Sequence, residues 1–202
     1  MSRTSTFVTI AAALFACTIA LGQDAPLGPK PGPEIEALKI LARDWIIRGH
    51  ISAGMMWKDA PSVPTNGYWK CDWVLGGMWA SCYVLDAVGP VKDGKGPLAQ
   101  GRKWSYEALQ YLGWDVEAKT YWYIGFDTEG GTYSMPGRRE GSKFIFESSD
   151  YRISQGIQQK FQFTWDFSDP EAVTFVQRNR VKGETVWKPF EISTYTPTTL
   201  PR

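Results

Sequence analysis

The sequence has few of the side chains that usually bind metals or act as nucleophiles. Its 202 residues include three cysteines and one histidine, His50. It also lacks the Gly-x-Ser-x-Gly turn of serine hydrolases, the His-Glu-x-x-His zinc motif and a phosphate-binding glycine loop. A lone histidine in a strand is more often a surface or structural residue than a catalyst. We therefore predict no catalytic residue and no metal site, and no cofactor is indicated.

An excess of one charge is also missing. There are 22 lysines and arginines against 21 acidic residues, and no long block of either sign stands out. Proteins that bind nucleic acid or anionic membranes usually carry a strongly basic surface. The balance therefore argues against a nucleic-acid partner.

A long apolar run is present only near the N-terminus, at residues 7–21. It follows Arg3 and ends in the small-residue pattern before Gln23, which is the layout of a secretory signal peptide. The run is shorter than the roughly 20 residues that cross a bilayer. We expect residues 1–22 to be a signal peptide and the mature chain to be periplasmic or secreted, without a transmembrane span. Lipoprotein processing at Cys17 is an alternative.

Export would leave Cys71 and Cys82 in an oxidising compartment. They lie near the ends of "KCDWVLGGMWASC", residues 70–82. A two-residue turn at glycines 76–77 would place the two cysteines directly opposite each other, in a hydrogen-bonded pair of an antiparallel hairpin. This register predicts a disulfide, and two buried thiols are the alternative.

After a linker at residues 23–32, the remaining chain reads as one domain of short strands. Pro33 begins a short amphipathic helix, residues 56–67 read as a loop, and residues 68–85 as a hairpin. Alternating apolar segments then recur between turn signals up to the C-terminus. We expect an all-β, antiparallel up-and-down barrel of about 8–10 strands over residues 33–202. A sandwich is the alternative, but closure better protects the edges of so many aromatic strands.

Three segments carry a resemblance to a known family: "EALKILARDW", "YWKCDWVLGGMWASCYV" and "YLGWDVEAKTYWYIGFD". They are similar to a bacterial family of unknown function that is placed among the lipocalin-like (calycin) β-barrels. The resemblance covers roughly residues 33–196. The chain has Trp45 at the family's Gly-x-Trp position but Arg43 in place of its glycine. The resemblance implies a lipocalin-like barrel, and it implies no particular activity.

Period-two alternation predicts which side chains face the barrel interior. The ten tryptophans are more than closure of a barrel needs, so we expect an aromatic-lined pocket with polar groups at its edge. The residues predicted to bind the ligand are Trp69, Trp73, Phe161, Phe163, Trp165, Gln177 and Asn179.

Three functions remain open from the sequence. The first is an exported barrel that binds a small apolar molecule, and we favour it. The second is an envelope interaction or structural module with a filled core, and the third is an enzyme on the same scaffold. An internal cavity would favour the first over the second, whereas ionisable side chains inside the barrel would favour the enzyme. Haem chemistry, known in related barrels, needs an inward histidine, and His50 falls on the face opposite Trp45.

Overall fold

The structure is a computed structural model that describes residues 31–56, 59–88, 104–154 and 156–199. The predicted signal peptide and most of the predicted linker lie outside these residues. The helix α1 spans Pro33–Leu38, with proline in its first turn as expected. The described residues form eleven strands: β1 Trp45–Ile51, β2 Val63–Val74, β3 Trp79–Val88, β4 Trp104–Asp115, β5 Thr120–Asp127, β6 Thr132–Glu140, β7 Lys143–Glu147, β8 Arg152–Ser154, β9 Ile157–Asp166, β10 Val173–Val181 and β11 Lys188–Pro197.

The strands form a closed antiparallel barrel, which confirms the predicted fold class. The order in the sheet is β10-β11-β1-β2-β3-β4-β5-β6-β7-β9, and β10 also pairs with β9, so that ten strands complete the ring. The short β8 pairs with β9 only. None of the helices within the described residues has the length and apolarity that crossing a membrane would require.

The alternation of apolar residues predicts the inward faces correctly. In β1, Trp45, Ile47 and Ile51 are buried, whereas His50 is exposed on the opposite face. In β9, Trp165 is buried, and Phe161 and Phe163 pack against the same core. Because one face of each strand is packed in the core, the pairing register is fixed along the whole barrel.

The predicted loop at residues 56–67 is wrong over its second half. The strand β2 already begins at Val63, which pairs with Ile51 of β1. Pro64 and Gly67 indicate a turn in the sequence, but in the structure they are part of the extended strand β2. A Cβ on Gly67 would clash with the backbone oxygen of Leu85, so glycine allows β2 and β3 to approach closely at this point.

One end of the barrel is closed by α1 and the segment that leads into β1. Ile35 and Leu38 of the helix are fully buried against the core. The Nε1 of Trp45 donates a hydrogen bond to the carbonyl oxygen of Leu41 at 2.8 Å, and the guanidinium of Arg43 lies 4.4 Å from the Trp45 ring centroid. We call this the closed end, and the opposite rim the open end.

The hairpin of β2 and β3 confirms the predicted disulfide and corrects the turn. Cys71 pairs directly with Cys82, and their sulfurs form a disulfide with a Cα–Cα distance of 4.0 Å. The ladder ends one pair earlier than expected, at Val74 and Trp79, and Leu75–Gly77 forms a 3-10 turn. Because the Cys71 N–H donates to Asp44 Oδ1 instead of across to β3, the cysteines are not a hydrogen-bonded pair.

Candidate functional site

The open end leads into a cavity of about 1210 Å³ within the barrel. Its volume is comparable to that of the largest small-molecule pockets. The aromatic residues that line it are Trp69, Tyr106, Tyr123, Tyr133, Phe161, Phe163, Trp165, Phe175, Phe190 and Tyr195.

The rings of the lining pack on one another, so the wall of the cavity is well ordered. Trp69 and Trp165 are stacked with centroids 5.6 Å apart, and Trp165 lies 4.8 Å from Phe175. Tyr123 stacks on Tyr133 at 5.5 Å. Offset and edge-to-face ring pairs of this kind stabilise a fixed arrangement, and they leave the space beyond the rings free.

The wall has a gap on one side of the open end. The second half of β6 pairs with β7 from Gly137 onward, but residues 132–136 pair only with β5. On the other side of the gap, β8 pairs only with β9. Pro136, which has no N–H to donate, marks the point where β6 separates from β7. Tyr133 and Arg152 lie on the two sides of this gap, and both line the cavity.

Five of the seven residues predicted to bind a ligand line the cavity. They are Trp69, Phe161, Phe163, Trp165 and Gln177. Their strands are β2, β9 and β10, and β9 and β10 are direct neighbours in the barrel.

The other two predicted residues do not line the cavity. Trp73 is half-buried and packs against the core near the closed end, one alternate position beyond Cys71. Asn179 is buried, and its Oδ1 accepts a hydrogen bond from Gln177 Nε2 at 3.1 Å. It therefore orients the amide of a cavity residue, while Trp73 contributes to packing.

Two acidic residues inside the barrel were not predicted. Asp86 on β3 is 7% exposed, and its Oδ1 is buried with no hydrogen-bond partner among the described residues. Glu191 on β11 accepts a hydrogen bond from Ser193 Oγ. Both line the cavity.

The surroundings of these two carboxyl groups favour their neutral forms. Burial raises the pKa of Asp86 to about 7. Burial, together with the charge of Asp86, raises the pKa of Glu191 to about 8, against the opposing effect of the Ser193 hydrogen bond. The two groups are thus close enough to interact, and they titrate as a pair.

Tyrosine hydroxyls form a second polar group in the cavity. Gln110 Nε2 donates to the hydroxyl of Tyr133 at 2.8 Å, and the Tyr106 hydroxyl lies 3.4 Å from that of Tyr133. Burial raises the pKa of both tyrosines, so they stay neutral. These groups can donate and accept hydrogen bonds without adding charge.

Asp86 could have been predicted by continuing the alternation of inward residues along β3. Cys82 and Val84 face inward, and Asp86 is the next residue of that face, but the predicted hairpin stopped at residue 85. Glu191 was harder to find, because its neighbours Phe190 and Ile192 are apolar and in the sequence they favour the opposite face of this strand as the inward one. In the structure Glu191 shares a face with the buried residues Ser193 and Tyr195, whereas Ile192 is exposed.

The fold and the cavity define the chain as an antiparallel β-barrel with an aromatic-lined interior. Comparison of the sequence with protein-family models finds no match, and neither does comparison with curated proteins.

Proposed function

We propose that this protein binds a small, mainly apolar molecule inside its barrel. The observation that carries the proposal is the cavity of about 1210 Å³ at the centre of an otherwise packed aromatic core. Apolar cavities with a few polar groups are the usual form of ligand sites. The half-buried rings of Phe161 and Phe163 would contact the apolar body of the ligand, and Gln177 and Tyr133 would contact its polar atoms.

The same cavity argues against a barrel whose interior serves packing alone. Natural cores are filled to high density, and voids larger than a water molecule are few in a domain. In this barrel the closed end meets that standard, since Ile35, Leu38 and Trp45 have no exposed surface. The empty volume is confined to the other part of the interior, which supports a binding role for that part.

We propose further that the protein is exported and belongs with the lipocalin-like barrels. The disulfide of Cys71 and Cys82 is compatible with an oxidising compartment. The order of strands is compatible with a lipocalin-like barrel. Sequencing the N-terminus of protein made in its own host tests export, and a chain that keeps Met1 in the cytoplasm would contradict it.

Binding can be tested with N-phenyl-1-naphthylamine, a neutral probe that fluoresces in apolar surroundings. We expect the parent protein to bind it with one saturable site. Phe161→Ala, which removes a ring from the lining, should weaken the binding several-fold. Absence of saturable binding to the folded parent protein would reject the proposed function.

Trp73→Ala is the matched control for this experiment. It also removes a half-buried ring, but Trp73 lies outside the cavity lining. We expect probe affinity to stay within about twofold of the parent, a change of under about 0.5 kcal/mol. If Trp73→Ala weakened binding as much as Phe161→Ala, the probe would not be reporting on the cavity.

A second candidate function is an enzyme that uses Asp86 and Glu191 as acid and base. The observation in its favour is that both carboxyl groups have pKa values near neutrality in a cavity. Chemical conversion of a copurified ligand by the parent protein, abolished by Asp86→Asn, would favour the enzyme over a carrier.

A further inference from the structure

The ionisable groups that line the cavity are mostly acidic. Among the described residues, five carboxyl groups and one guanidinium line it. Asp86 and Glu191 lie in the interior, whereas Asp127 and Asp150 lie with Arg152 at the rim. Charges of one sign in a low-dielectric pocket attract ligands of the opposite sign.

The guanidinium of Arg152 does not neutralise the inner pair. Its pKa is lowered by burial and raised by the charges of Asp127 and Asp150, so its acidic neighbours are those of the rim. Of the described groups, those that affect Glu191 are Asp86 and Ser193. The described interior therefore offers two carboxyl groups and no cation to pair with them.

The inner pair also has an oxygen atom that the fold leaves without a partner. Asp86 Oδ1 is buried and accepts no hydrogen bond from any described residue. An unpaired buried carboxyl oxygen is unfavourable, and a cation bound where the same carboxyl group borders the cavity would offset this. This unpaired oxygen is a second observation, separate from the excess of acidic residues in the cavity lining.

An organic cation fits this site better than a metal ion. The described residues contain no group of three or more His, Cys, Asp or Glu side chains positioned to hold a metal. Calcium requires about six to eight oxygen ligands, whereas an ammonium group needs only a few acceptors. The Tyr195 ring lines the same cavity, and burial together with the charges of Glu191 and Asp86 raises the pKa of its hydroxyl group, so an aromatic residue lies beside the carboxyl pair.

We infer that the cavity selects small apolar molecules that carry one protonated amine, with the amine between the carboxyl groups of Asp86 and Glu191. This inference rests on the proposed function and names the ligand class. The ligand's ring or chain would then lie against Phe161 and Phe163, and its ammonium group would contact the carboxyl groups of Asp86 and Glu191 where they border the cavity.

Three ligands that differ only in their polar group test the inference: 2-phenylethylamine, 2-phenylethanol and 3-phenylpropionate. Titration calorimetry at pH 7.5 and constant ionic strength should give at least about tenfold tighter binding of the amine than of the alcohol. The carboxylate should bind most weakly. Equal affinities for the amine and the alcohol would overturn the inference.

Variants show whether the two carboxyl groups cause the preference. Asp86→Asn combined with Glu191→Gln keeps the shapes and removes both charges. We expect the affinity ratio of amine to alcohol to fall close to one, with alcohol affinity changed by less than about threefold. Glu171→Gln, on an exposed turn residue, is the matched control and should keep the full ratio. A ratio that persists in the double variant would overturn the inference.

A measurement on the parent protein does not depend on the folding of any variant. If the amine binds between the carboxyl groups, it should displace a proton that they share near pH 7. Calorimetry in buffers of different ionisation enthalpy should then detect proton release with the amine and none with the alcohol. No proton release with the amine would count against the inference.

The neutral probe separates this inference from the proposed function. If N-phenyl-1-naphthylamine binds but the amine shows no preference, the cavity binds ligands and the assigned class is wrong. If neither the probe nor any of the three ligands binds, the proposed function fails together with the inference.

Discussion

The carboxyl groups at the closed end and the inner pair of the open end have opposite surroundings. At the closed end, Asp166 accepts hydrogen bonds from Ser142 and Ser168, which lower its pKa to about 2. Asp115 accepts from the backbone N–H groups of Ala118 and Glu117, which also lower its pKa. At the open end, burial raises the pKa of Asp86 and of Glu191.

This contrast separates the part of the barrel that stabilises the fold from the part available to a ligand. Carboxylates that accept several hydrogen bonds in the folded state contribute stability, whereas buried acids with one donor or none reduce it at neutral pH. Unfavourable groups of this kind are common where binding or catalysis requires them. The closed end thus stabilises the fold, while the open end retains a buried carboxyl oxygen that has no hydrogen-bond partner among the described residues.

The largest expected effect is on stability. It is found by replacing one phenylalanine with alanine at each end of the barrel. Phe144→Ala removes a buried ring of the closed end that contacts Tyr121 at 5.3 Å and Phe167 at 5.9 Å. It should lower the free energy of unfolding by about 3–5 kcal/mol, because it leaves a cavity in a packed region. Phe161→Ala should lower it by less than about 2 kcal/mol, because that ring already borders empty space.

Urea denaturation followed by far-UV circular dichroism measures both values. Binding of the neutral probe should show the reverse order, with Phe161→Ala affected and Phe144→Ala close to the parent under conditions where it is folded. Equal losses of stability at both positions would mean that the open end is packed as tightly as the closed end.

The difference between the ends also explains what the sequence could and could not predict. Packed strands follow strict alternation, so the inward residues of β1 and β9 and the pairing of Cys71 with Cys82 were predictable. The start of β2 at Val63 was missed because proline and glycine occur both in turns and in extended strands. Only the pairing with β1 shows that here they are part of a strand. Glu191 was missed because the apolar residues on either side of it, Phe190 and Ile192, favour the opposite face of β11 as the inward one.

The barrel itself was predictable, but its cavity was not. Alternating aromatic residues indicate that the barrel has an apolar interior, but they do not show whether the rings fill that interior or leave a cavity. Trp73 and Trp69 have the same pattern in the sequence, and only Trp69 borders the cavity. Closure by α1 decides which end is filled, and that depends on contacts between segments distant in the chain.

A smaller effect is expected from loss of the disulfide. Cys71 and Cys82 are buried near the closed end and are eleven residues apart in sequence. Replacing both by alanine should lower the free energy of unfolding by about 2–3 kcal/mol, because the unfolded chain gains conformational freedom.

Probe affinity should remain unchanged in this variant, since neither cysteine lines the cavity. Thermal denaturation of the variant, and of the parent with and without reducing agent, measures the stability. The comparison of the two ends would be weakened if loss of the disulfide impaired binding in protein that is still folded.

A further expected effect is a dependence of stability on pH that differs between the ends. The open-end acids have folded pKa values of about 7 and 8, against ordinary values of 3.8 and 4.5. Between about pH 4 and pH 8 the folded protein therefore holds protons that the unfolded chain has released. The free energy of unfolding should fall as pH rises through this window and level off above it.

The closed-end acids have the opposite dependence. Because the pKa of Asp166 is lowered to about 2, its contribution is present above its ordinary value of 3.8 and is lost as pH falls toward 2. The two trends together predict maximal stability at about pH 4, which lies on the acidic side of the usual optimum. The groups near the inner pair, Tyr106 and Tyr195, stay neutral throughout because burial raises the pKa of each.

Asp86→Asn combined with Glu191→Gln isolates the contribution of the open end. The variant carries no titrating group at these positions, so its stability should change little between pH 5 and pH 8. At pH 8 it should exceed the parent by at least about 1 kcal/mol, seen as a rise in Tm of about 2–4 °C. Asp166→Asn should instead lower stability at pH 6 and leave the loss between pH 5 and pH 8 intact. A parent protein that is equally stable at pH 5 and pH 8 would show that the inner carboxyl groups are solvated or paired, and the contrast between the two ends would then disappear.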